Sequence, residues 1–125
     1  MSDHELAPKT YTIESVSWKG QYVSVDDDTI VGFRHLLGGI QKWELAYKNG
    51  FATFQGVPPY PAVRKYIAID WNAMELVYGD EPTPFKLERL GGGHQNIFRV
   101  MAVNKRGHGS EGPVSWQLPS KNDGT

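Results

Sequence analysis

Gln41-Lys42-Trp43-Glu44-Leu45 has two looser copies further along the chain, Thr83-Pro84-Phe85-Lys86-Leu87 and Val114-Ser115-Trp116-Gln117-Leu118. Each copy sets a large aromatic two residues before a leucine, with one polar or charged residue between them. Side chains two apart on a strand point to the same side, so each copy offers an aromatic–leucine pair to a core and turns the intervening residue outward. The aromatics stand at positions 43, 85 and 116, spaced by 42 and 31 residues. A recurrence near forty residues is the spacing of a repeat architecture, here with a shortened last unit.

Around these three strands the chain has 125 residues, enough for one domain with a single core. We read 1–125 as that domain, with loose tails at 1–9 and 119–125. The formal net charge is −1, which gives no basic footprint for nucleic acid or an anionic membrane surface. Cysteine is absent, which excludes disulfides, thiol catalysis and cysteine-ligated zinc and fits a reducing compartment. Met1-Ser2-Asp3-His4-Glu5 lacks the basic and apolar regions of a signal peptide, and no apolar run reaches membrane-spanning length. The expected location is the cytoplasm. With 14 glycines and 8 prolines, the composition favours an all-β chain of short strands and tight turns.

The pattern predicts strands over 11–16, 22–25, 29–33, 41–47, 51–56, 65–70, 74–78, 84–90, 97–103 and 114–118. Asp26-Asp27-Asp28 reads as a turn, because short acidic side chains bond their own backbone; a calcium loop would need alternating ligands and a turn glycine that are absent. Asn49-Gly50 is a strong hairpin signal. Val57-Pro58-Pro59-Tyr60-Pro61 is a stiff loop, since each proline fixes its φ and removes a donor from any sheet.

The segment 11–47, with Gly20-Gln21-Tyr22-Val23-Ser24-Val25 and then Gln41-Lys42-Trp43-Glu44-Leu45, resembles one repeat of the ricin-B-type β-trefoil in its cysteine-free fungal, lectin-like form. Gln-x-Trp is the marker of that family. The resemblance continues more loosely over 51–90 and implies a β-trefoil, three pseudo-repeats of short antiparallel strands with the repeated aromatics filling the core near a pseudo-threefold axis. Thr83 and Val114 stand where the family has glutamine, Ser24 stands where its sugar-binding aspartate normally lies, and the third repeat is abbreviated. Phe98-Arg99-Val100-Met101-Ala102-Val103-Asn104-Lys105-Arg106-Gly107 is similar to the penultimate strand and turn of a fibronectin type III domain, which makes a β-sandwich of that type the alternative. Such a sandwich places a core tryptophan roughly 45 residues before this strand. Trp18 and Trp71 lie 80 and 27 residues before Phe98 instead.

Catalysis finds no constellation. His4, His35, His94 and His108 are scattered, without the spacing of a zinc site or a triad. Gly91-Gly92-Gly93-His94 lacks the lysine and hydroxyl residue of a phosphate loop, and Asp80-Glu81 are simply neighbours in a turn. No enzyme activity, cofactor or metal is expected.

Binding has better candidates. A hexose presents an apolar C–H face and a ring of hydroxyls, so its site needs an aromatic platform beside carboxylates or amides. Asp70-Trp71-Asn72 supplies these groups in one turn, with Tyr78 on the returning strand; Asp28, Phe33, His35 and Gln41 occupy comparable places in the first unit. The resemblance points the same way, to glycans or glycoproteins as partners. It also admits two alternatives, since fungal cysteine-free trefoils include protease inhibitors and non-catalytic subunits that dock on a larger enzyme. For an inhibitor, the loop carrying Pro58, Pro59, Tyr60 and Arg64 is the stiffest candidate, because a preorganised loop loses little entropy on binding.

Overall fold

The computed structural model describes residues 6–15, 18–35, 38–89 and 97–103. Among the described residues the chain is all β, without a helix. Its strands are β1 Thr10–Tyr11, β2 Tyr22–Asp26, β3 Thr29–Phe33, β4 Trp43–Lys48, β5 Phe51–Gly56, β6 Tyr66–Asp70, β7 Glu75–Gly79, β8 Phe85–Arg89 and β9 Phe98–Ala102. The expected strand at 114–118 lies outside the described residues.

Local chemistry sets the hairpins. Asp27 and Asp28 between β2 and β3 have φ of 53° and 68°, and Asn49 and Gly50 between β4 and β5 have φ of 54° and 85°. Two successive positive φ values give the turn whose twist matches that of paired strands, and Asp, Asn and Gly tolerate it best. The β6–β7 hairpin closes at Asp70↔Glu75 around the longer loop 71–74, ending on Met74 with φ 55°.

Pairing then builds one curled antiparallel sheet. β4 pairs with β1 at Tyr11↔Trp43 and with β5 from Trp43↔Gly56 to Lys48↔Phe51. The far edge of β5 is shared, because Ala52 faces Phe85 of β8 whereas Gln55 faces Tyr66 of β6. From this fork one arm continues as the β8–β9 hairpin, and the other runs through β6–β7 to β3–β2 by way of Thr29↔Val77. A fibronectin-type sandwich splits into two stacked sheets, and the described strands do not divide that way.

Two expectations near the start of the chain change. β1 is short because the chain leaves β4 after Tyr11 and covers the outer edge of β2 instead. There Val23 N donates to Ile13 O at 2.8 Å, and Glu14 forms an isolated bridge with Tyr22. Residues 6–9, expected in a loose tail, are tied down: Leu6 packs against the core, Tyr47 Oη donates to Leu6 O at 2.8 Å, and Leu45 N donates to Lys9 O at 2.9 Å.

The core forms where the inward faces meet. On β4 the alternation buries Trp43 and Leu45 and exposes Glu44, and on β5 it buries Ala52, Phe54 and Gly56. Trp43 is 0% exposed; its Nε1 donates to Val23 O at 3.0 Å, and its ring meets Tyr78 edge-on at 5.9 Å. Phe85 is also fully buried and packs against Phe54 at 6.0 Å, while Leu87 lies against the same cluster. The first two aromatic–leucine pairs therefore share one core; Trp116 and Leu118 lie outside the described residues.

Gly56 is needed for this packing. A Cβ there would lie 2.5 Å from Tyr78 Oη and 2.7 Å from the ring. The ring is wedged against Trp43 and cannot swing clear without disturbing it. Gly56→Ala is expected to cost about 1–3 kcal/mol, as overpacking does. Urea denaturation checks this, and an unchanged midpoint would mean that the ring moves aside freely.

Candidate functional site

The β6–β7 hairpin tip is shaped by Asp70. Its Oδ1 accepts from Asn72 N at 3.0 Å and Ala73 N at 3.2 Å, so this carboxylate oxygen folds the loop. Trp71 leads the loop and is half-buried, packed partly against the core. Asn72 is exposed at the tip. Tyr78 does not join them, which corrects its placement beside the indole. On β7, Leu76 and Tyr78 fall on the inward side by the two-residue alternation. Tyr78 is 7% exposed, and its hydroxyl accepts from Lys65 N at 3.1 Å.

Another segment comes to Trp71 instead. After β7 the chain returns across β6, on the edge opposite β7, and Thr83 substitutes there for a strand partner. Thr83 N donates to Ile67 O at 3.3 Å, and Ile69 N donates to Thr83 Oγ1 at 2.9 Å. A buried strand edge needs such partners, which explains why Thr83 is only 7% exposed. The crossing carries Asp80, Glu81 and Pro82 to the indole and leaves a cavity of about 290 Å³. Of the residues that line it, Trp71, Ala68, Ile69 and Pro82 are apolar, and Asp80, Glu81 and Thr83 bring polar side chains. An aromatic face beside hydrogen-bonding groups suits an amphipathic ring, and the volume is near the lower end of ligand pockets, roughly 300–1,000 Å³.

In the sequence Asp80-Glu81 read only as neighbours in a turn and Thr83 only as a departure from Gln-x-Trp, not as binding residues. The repeat held the available signal, because residues just before Phe85 correspond to those just before Trp43, where the chain crosses β2. There Val25 N donates to Ile40 O at 3.1 Å.

The first-unit candidates divide between the core and the surface. Gln41 is 4% exposed, and its Nε2 donates to Ser24 Oγ at 2.9 Å and Arg34 O at 2.7 Å, so it braces the chain. Phe33 is buried. His35 is exposed and meets Tyr22 edge-on at 5.9 Å, while Asp28 sits at the β2–β3 turn with its carboxylate 3.9 Å from Lys65 Nζ. Phe33 ends the buried run of β3 and Gln41 is buried with it, whereas Asp28 in the turn before β3 and His35 beyond its end are exposed.

On the proline loop, Pro59 and Tyr60 are exposed, Pro58 is half-buried, and Val63 reaches 77% exposure. Arg64 Nη1 lies 3.4 Å from Glu44 Oε1, with both side chains about half exposed. Trp18 is 67% exposed beside the turn at Lys19-Gly20. Among the described residues no three His, Cys, Asp or Glu side chains gather as a cation site. Compared with protein-family models, curated proteins and solved structures, the chain finds no match.

Proposed function

We propose that this chain is a non-catalytic, carbohydrate-binding protein of β-trefoil build, with glycans or glycoproteins as its partners. The observation that carries the binding site is the cavity that joins the Trp71 indole to Asp80, Glu81 and Thr83. Compared with the site read from sequence, it keeps Trp71, retains Asp70 as the residue that shapes the loop, and exchanges Tyr78 for the β7–β8 crossing.

Support for the trefoil comes from connectivity. β1, β4, β5, β8 and β9 form a continuous antiparallel ladder, and the hairpins β2–β3 and β6–β7 are inserted at the same point of each unit. Trp43 and Phe85 take equivalent core places in those units.

Titration with neutral and charged saccharides, followed by tryptophan fluorescence and calorimetry, tests the binding. A small site forms few hydrogen bonds of about 0.5–1.5 kcal/mol net each, so single sugars bind weakly and multivalent display strengthens them.

The exposed Tyr60 between Pro59 and Pro61, with exposed Val63 just beyond, favours a second reading, a loop presented to a protease cleft. On that reading Arg64→Ala abolishes inhibition of a trypsin-like protease and leaves the melting temperature nearly unchanged, because a half-exposed ion pair contributes about 0–1 kcal/mol. Failure of the parent protein to inhibit any serine or cysteine protease in a panel disposes of it.

A further inference from the structure

We infer that the ligand of the Trp71 cavity is a cationic saccharide, an amino sugar with a free protonated amine rather than a neutral hexose. This rests on the carbohydrate-binding reading and specifies the substrate class of the same site.

The cavity makes three separate chemical demands. The first is for an apolar face against the indole, which any pyranose ring or alkyl chain meets. The second comes from charge. Asp80 and Glu81 both line the cavity and are exposed, and no Lys or Arg of the described residues forms an ion pair with either. Arg64, Lys65 and Arg99 are engaged elsewhere, with Glu44, Asp28 and Glu88. Two carboxylates beside an electron-rich indole face favour a cation, through charge-assisted hydrogen bonds and through attraction to the ring.

The third demand separates ligand classes. Thr83 lines the cavity and is 7% exposed, and its Oγ1 accepts from Ile69 N. A hydroxyl has one proton to donate besides its acceptor capacity, and among the described residues that proton has no acceptor. A ligand that satisfies it must bring an acceptor. The ammonium of a lysine side chain has donors only, so it answers the carboxylates and leaves Thr83 unanswered. A neutral hexose answers Thr83 with a hydroxyl oxygen but brings no positive charge. An amino sugar meets all three demands from one ring.

The experiment is a calorimetric titration with a β-1,4-linked glucosamine oligomer and with its N-acetylated counterpart, at mildly acidic pH and low salt. The free-amine oligomer is expected to bind about tenfold more tightly, a difference of about 1.4 kcal/mol. The double variant Asp80→Asn with Glu81→Gln should lose most of that preference while still binding the N-acetylated oligomer, and added salt should shrink it. Asp27→Asn removes a charge at the β2–β3 turn, outside the cavity lining, and should leave most of the preference in place. Equal binding of the two oligomers, or a preference that survives the double variant, overturns the inference while the carbohydrate-binding reading stands. If neither these nor neutral oligosaccharides bind, and a lysine-rich peptide does, both are overturned.

Discussion

Replacing Trp43 with alanine is expected to remove roughly 3 to 5 kcal/mol of stability, the usual cost of deleting a large buried aromatic. Whole domains are stable by only about 5–15 kcal/mol, so the variant should be largely unfolded under mild denaturing conditions. Three losses combine: the indole is completely buried, its Nε1 is the donor to Val23 O, and its ring supports Tyr78 edge-on. Trp43→Phe separates them. It restores most of the packing but leaves Val23 O without that donor, so an intermediate loss of about 1–3 kcal/mol is expected. Urea denaturation of both variants, with slopes compared as well as midpoints, gives the measurement. A small loss in Trp43→Ala would mean that the repeated aromatics do not anchor the core.

The strands and most of their turns were legible because each rests on chemistry local to a few residues. Asn49-Gly50 specifies its hairpin whatever surrounds it, and the alternation Trp43, Glu44, Leu45 states which side of β4 is buried. The length of β1 was not legible. Residues 11–16 read as continuous strand, and nothing local indicates that the chain changes partner from β4 to β2 after Tyr11. The site was half legible for the same reason. Trp71 and Asp70 announce a loop with an aromatic, but Tyr78 was assigned by nearness along the hairpin, and its inward alternation decides otherwise. Thr83 reads as a departure from Gln-x-Trp until β6 is seen to need a partner on that edge, which its hydroxyl supplies.

Replacing Trp71 with alanine should have the opposite signature to Trp43→Ala, with a large effect on binding and a small one on stability. The side chain is half-buried, so its truncation is expected to cost about 1–2 kcal/mol by lost apolar contact. The cavity wall, however, loses its aromatic face. Stacking of a sugar ring on an aromatic is the contact that Asp80, Glu81 and Thr83 cannot replace, and hydrogen bonds alone compete poorly with water. Asp70 still folds the loop in this variant, so the hairpin keeps its shape and the carboxylates of the crossing keep their places.

The most direct measurement is a calorimetric titration of the parent protein and of Trp71→Ala with the same panel of neutral and amino oligosaccharides, with urea midpoints recorded on the same samples. The carbohydrate-binding account predicts saturable heat and a tryptophan fluorescence change in the parent, both lost in a variant that remains folded. Saccharide binding undiminished by Trp71→Ala, or a parent protein that binds no member of the panel, would contradict it.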